Sequence, residues 1–115
     1  MQKIIQFKET VRIKRWTPAI RYMLDMIEGI MSSNDWVPEL TITSINDSKH
    51  KENSQHYKDL ALDVRSHNFL SHEDRLRFLE VLKTTLGPKF FVDLENINTP
   101  NEHFHMQLHR TETFE

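Results

Sequence analysis

The chain has 115 residues, with 15 lysines and arginines against 17 aspartates and glutamates, a formal charge of −2. That length suits a single domain spanning residues 1–115 with a modest core, and the slightly acidic balance argues against nonspecific nucleic-acid binding, which requires a basic surface, while leaving room for a local basic patch. The absence of cysteine excludes disulfides and Cys-ligated zinc.

The N-terminal MQKIIQFKETVRIKRW lacks the continuous apolar stretch of a secretory signal, and its IIQF and VRI segments are expected to add an edge strand or an arm. The first clear element is an amphipathic helix from about Pro18 to Ser32. Thr17 suits its N-cap and Pro18 its first position. Ile20, Met23, Leu24, Ile27, Ile30 and Met31 recur at helical spacing and form one apolar stripe. Glu39 to Ile45 is β-branched and alternates, the pattern of a strand. The polar run Asn46 to Gln55 reads as a loop.

Leu60 to Arg65 alternates again and is expected as a strand. A second helix is expected from about His72 to Leu86, started by Ser71 with Asp74 and ended by Gly87-Pro88, with Leu76, Leu79, Leu82 and Leu86 on its buried face. Lys89 to Glu95 and Glu102 to His109 read as a final strand pair, joined by a connection short enough for a hairpin. Strands in pairs favour an α+β fold: a small antiparallel or mixed sheet with two main helices. No apolar run approaches the roughly 20 residues that span a bilayer.

Seven histidines in so short a chain direct attention to metal binding and acid–base chemistry. Strand phase selects among them. Leu60, Leu62 and Val64 share one face of their strand, and Ala61, Asp63 and Arg65 the other. Phe104, Met106 and Leu108 likewise oppose His103, His105 and Gln107. If the apolar sets share a core, Asp63 and His105 stand together on the opposite sheet face, a carboxylate and an imidazole suited to a hard or borderline metal ion. His56, just ahead of its strand, is the candidate third ligand. Three protein ligands leave one position on a catalytic zinc for water, and Glu102 is placed to collect that water's proton. Phase does not separate His103 from His105, and His2Asp ligation does not single out zinc. His67, His72 and His109 are expected at the surface, and Trp16 and Trp36 in the core or a lid.

The stretch Ser54 to Arg65, SQHYKDLALDVR, resembles the Ser-x-His-x3-Gly-x-Ala-x-Asp signature of the zinc D,D-carboxypeptidase and L-alanyl-D-glutamate endopeptidase family. That family includes the vancomycin-resistance D,D-dipeptidases and many phage endolysins, and its fold recurs in the hedgehog signalling domain. Ser54, His56, Ala61 and Asp63 match. Glu102-His103-Phe104-His105 resembles the second motif, an acid three residues before the last zinc-binding histidine. Thr43-Ser44, His50 and Thr99-Pro100-Asn101-Glu102 extend the likeness to short phage-type members, over roughly Leu40 to Leu108.

The resemblance implies one Zn2+ held by His56, Asp63 and His105, and Glu102 as general base and as acid toward the leaving amine. Ser54 would bind substrate near its carboxylate, with His50 and His103 also toward substrate. It implies hydrolysis of peptidoglycan stem peptides by a monomeric phage or bacterial enzyme, made in the cytoplasm and delivered to the cell wall. The chain departs from the family at Asp59, where the signature has glycine, and in lacking the arginine that many members carry after the first strand. Arg65, Lys49 or an N-terminal arginine is left to take that place. An inactive module of the same fold, used as a phage structural or wall-binding part, is the alternative.

Overall fold

The computed structural model describes residues 3–11, 16–45, 60–109 and 111–114. In chain order these form β1 (Gln6–Phe7), α1 (Pro18–Ser33), β2 (Thr41–Ser44), β3 (Ala61–Arg65), α2 (His72–Leu86), β4 (Phe90–Glu95) and β5 (His103–Leu108). The strands make one sheet in the order β1-β2-β3-β5-β4. β1 runs parallel to β2, and the other three pairings are antiparallel. The fold is therefore α+β with a mixed sheet, and IIQF does contribute an edge strand.

Both helices are started by their expected caps. Thr17 Oγ1 accepts the Ile20 N–H at 3.3 Å, with Pro18 behind it, and Ser71 Oγ accepts the Asp74 N–H at 3.1 Å. Such caps satisfy amide donors that have no partner within the helix. Glu73 and Asp74 in the first turn of α2 and Lys83 in its last also oppose the helix dipole. Gly87 then ends α2 at φ 85°, a conformation natural to glycine, with its N–H on the Lys83 carbonyl. Lys3 caps the far end of α1: its ammonium donates to the Met31, Asn34 and Val37 carbonyls, tying the N-terminal arm to the helix.

One core lies between the two helices and one face of the sheet. It takes Ile20, Met23, Ile27 and Met31 from α1, Phe78 and Leu82 from α2, and Ile42, Leu62, Val64, Val92, Phe104 and Met106 from the sheet. Phe69, Phe78 and Phe104 form its aromatic centre, with ring centroids 4.9–5.7 Å apart. The phase of α2 differs from the expected one. Leu76 is 43% exposed and Phe78 is fully buried. At 3.6 residues per turn, two successive three-residue steps leave Leu76 about 120° from Leu82. The inward row is instead Arg75, Leu79, Leu82 and Leu86, flanked by Phe78, so the first inward position of α2 holds an arginine. Trp36 is half-buried against Phe69, with the Arg77 guanidinium 4.1 Å over its ring. Trp16, 47% exposed, belongs to no core.

Among the described residues no helix is long and apolar enough to cross a membrane. The opposite sheet face carries Thr43, Asp63, Arg65, His103, His105 and Gln107. β3 and β5 are direct neighbours, so Asp63 stands opposite His105 and Arg65 opposite His103. Phe78→Ala is expected to cost about 3–5 kcal/mol of stability in denaturant unfolding, and Leu76→Ala less than about 0.5 kcal/mol. Equal effects would contradict the phase of α2.

Candidate metal centre

The antiparallel register brings two polar side chains into contact across β3 and β5. Asp63 Oδ1 lies 2.7 Å from His105 Nδ1, and the other ring nitrogen, Nε2, lies 2.7 Å from Gln107 Oε1. Both atoms facing the ring are acceptors, so two protons are needed unless a metal ion takes the place of one. Burial alone would push the His105 pKa down, but the bonds to Asp63 and Gln107 and the charges of Asp63 and Glu95 outweigh it, and the pKa is raised.

His103 completes the group. Its Nδ1–H donates to the Asn101 carbonyl at 2.7 Å. That leaves Nε2 facing Glu95 Oε1 at 3.0 Å and Asp63 Oδ1 at 3.8 Å. An imidazole nitrogen turned toward two carboxylates needs either a proton or a metal ion between them. Asp63, His103 and His105 each offer one donor atom, all within 4.8 Å of one another.

These residues fit a divalent metal. Zinc–ligand distances of about 2.0–2.1 Å put neighbouring tetrahedral donors about 3.3 Å apart. The Asp63 contacts at 2.7 Å and 3.8 Å lie on either side of that spacing, and all three donor atoms fall within 4.8 Å of one another. The second nitrogen of each ring meets an oxygen that orients it, Gln107 for His105 and the Asn101 carbonyl for His103, the usual support of a metal-binding imidazole. Glu95 meets the remaining nitrogen of His103 at 3.0 Å.

The structure thus brings together Asp63 and His105 and adds His103, which sequence reading had placed with substrate. His50, Ser54, His56, Lys49 and Asp59 lie outside the described residues. Glu102 is not part of the donor group. It stands immediately before β5, its side chain without exposed surface. Its Oε1 accepts the Ser66 hydroxyl at 2.7 Å and lies 3.5 Å from the Arg75 guanidinium, and its Oε2 accepts the Asn98 N–H at 3.0 Å. Arg75 also donates to the Ser66 and Phe69 carbonyls. Burial raises the Glu102 pKa, but the Asn98 and Ser66 hydrogen bonds and the positive field of Arg75 and His67 more than reverse this, leaving it lowered. Neither Ser66 nor Arg75 stands out in sequence, although Arg75 on the inward row of α2 is a polar residue at an apolar position.

A cavity of about 450 Å³ opens beside the donor group, lined by Lys8, Thr43, Arg65, His67 and the Asn96–Glu102 turn as well as Asp63 and His103. His67 and His72 are exposed as expected, while His109 is half-buried against Phe91, with ring centroids 6.4 Å apart. Comparison with protein-family models, with curated proteins and with solved structures finds no match.

Zinc titration by calorimetry is expected to show one site, weakened more than about 100-fold in His105→Ala and about 10- to 100-fold in Gln107→Ala. Unchanged affinity in His105→Ala would remove this centre. The pH dependence has a definite sign. Metal must displace a proton held more tightly than by free imidazole, so affinity falls as pH drops through the raised His105 value. In the metal-free protein the Asp63–His105 contact contributes fully below the unfolded histidine pKa, about 6.5. Its contribution is lost as pH rises through the folded value. Asp63→Asn should flatten that decline in melting temperature, and an unaltered pH profile would contradict the pairing.

Proposed function

We propose that the chain is a metal-dependent peptidase acting on peptidoglycan stem peptides, with one zinc ion on the polar face of β3 and β5. The carrying observation is the convergence of the Asp63, His103 and His105 donors, two of which, Asp63 and His103, line an open cavity. The spacing of Ser54, His56 and Asp63 supplies the rest of the reading: Asp63 and His105 hold the ion, with His56 as the third ligand and His103 beside it. A zinc ion so held supplies Lewis acidity, polarising a carbonyl oxygen and acidifying water.

The remaining work belongs to side chains. Gln107 and the Asn101 carbonyl fix the imidazoles, so no ring has to turn during reaction. Glu102 lines the cavity wall and takes the proton of the attacking water on its carboxylate, then returns it to the leaving amine. To do so its carboxylate exchanges the Ser66 hydroxyl for a partner on the cavity side. Ser54 and the cavity's cationic wall orient the substrate.

One observation favours a second reading. Both Glu102 oxygens are already engaged, by Ser66, Asn98 and Arg75, which suits a metal-stabilised wall-binding or virion module that performs no hydrolysis. Mass spectrometry of purified peptidoglycan incubated with zinc-loaded protein separates the two. The peptidase reading expects new fragments, lost with chelator and reduced about 10²- to 10⁴-fold in Glu102→Gln with zinc still bound. Full activity in Glu102→Gln would remove the assigned base, and bound zinc with no fragments from any wall type would establish the binding module.

A further inference from the structure

We propose that Trp16, with Arg21 and Asp25, forms a binding site for a neutral saccharide on the solvent side of α1. Trp16, Arg21, Leu24 and Asp25 line a cavity of about 360 Å³. It lies apart from the metal centre. Ile20, Met23 and Ile27 turn the inner side of α1 onto the apolar sheet face, and Asp63 and His105 stand on the opposite face. The inference goes beyond the peptidase reading and does not rest on it.

The helix gathers these groups. Arg21 and Asp25 are four residues apart with Leu24 beside them, so all three share one side of α1. Trp16 directly precedes the Thr17 cap, whose bond to the Ile20 N–H fixes where the chain enters the helix. Tryptophan is ordinarily well buried, yet Trp16 is 47% exposed and has no aromatic or cation partner among the described residues. Trp36 shows the contrast: it packs against Phe69 and the Arg77 guanidinium covers its ring. Arg21 and Asp25 are exposed, and neither has a side-chain hydrogen bond or ion pair among the described residues.

A pyranose ring presents an apolar C–H face and a rim of hydroxyls. The indole offers a flat apolar surface for the first. For the rim, Asp25 accepts hydrogen bonds and Arg21 donates a planar fork of them. The two charges cancel, so the cavity selects neither an anion nor a cation, and Asp25 opposes the phosphates of a nucleic acid. Trp16 and Leu24 alone supply the apolar lining, far less than the roughly 800 Å² per partner of a stable protein interface. For a chain acting on the cell wall, the glycan strand carries such rings, and this site anchors the protein from the side away from the metal.

The test is titration of the full chain with N-acetylated chitotriose, followed by ¹H–¹⁵N NMR of the two indole N–H groups. Sorbitol, which has hydroxyls but no ring face, and a short oligothymidylate are the comparison probes. Chitotriose is expected to give a saturable shift at Trp16 with Trp36 unmoved, the same with or without chelator. Trp16→Ala should weaken binding about 10- to 100-fold and Trp16→Phe less. Arg21→Gln and Asp25→Asn should each weaken it about 5- to 10-fold. All four side-chain changes are at exposed positions, and the melting temperature is expected to stay within a few degrees of the parent. No saturable shift at Trp16, or equal chitotriose affinity in Trp16→Ala, overturns the proposal. Sorbitol binding as tightly as chitotriose, or oligothymidylate binding more tightly, overturns the ligand class. Because the readout is sugar binding away from the metal, absence of wall cleavage counts against the peptidase reading and not against this site.

Discussion

The structure turns on the pairing of β3 with β5. Strands alternate side chains between faces, so a register shift of one residue would exchange the whole apolar set for the polar one. Here the apolar set is fixed: Leu62 and Val64 of β3 and Phe104 and Met106 of β5 are all fully buried beneath the helices. With that face committed, Asp63 and His105 have to meet on the other, and they do so at 2.7 Å. The energy that sets the candidate site is therefore hydrophobic, spent on the face that does no chemistry. The polar face carries an acceptor-rich cluster that would not assemble by its own attraction.

A second constraint acts at the end of β5. The β4–β5 turn passes through Asn96 and Asn98, both at positive φ, a region asparagine tolerates better than most residues. It is fastened from inside by Glu102, whose carboxylate takes the Asn98 N–H and meets Ser66 and Arg75. The lock ties the turn to α2 and to the end of β3. It sets where His103 begins, and so where Asn101 presents the carbonyl that holds the His103 ring. Removing one partner from so buried a pair would leave a charge without compensation, at a cost far above that of a surface ion pair.

Much of this was legible in the residues. Thr17-Pro18 and Ser71 mark helix starts through side-chain chemistry local to the sequence, and alternation in LALDVR and HFHMQL separates core from polar face. Distance and direction were not legible. Phase put His103 and His105 on one face without saying that a backbone carbonyl would turn His103 Nε2 toward Asp63. Leucine counting along α2 took Leu76 for core, because steps of three and four residues look alike until the helix phase is fixed at both ends. Arg75 went unnoticed for the same reason: its reason for facing inward is Glu102, 27 residues later in the chain and invisible to local pattern.

The central claim is that the polar face of β3 and β5 binds a metal ion through Asp63 and His105. Its most direct test is long-range ¹H–¹⁵N NMR of the imidazole nitrogens during zinc titration. The account predicts a saturable change at one equivalent, with the largest shift at His105 Nδ1 and its Nε2 still protonated toward Gln107. Saturation that leaves the His105 ring unchanged, or no saturable binding at all, would contradict it.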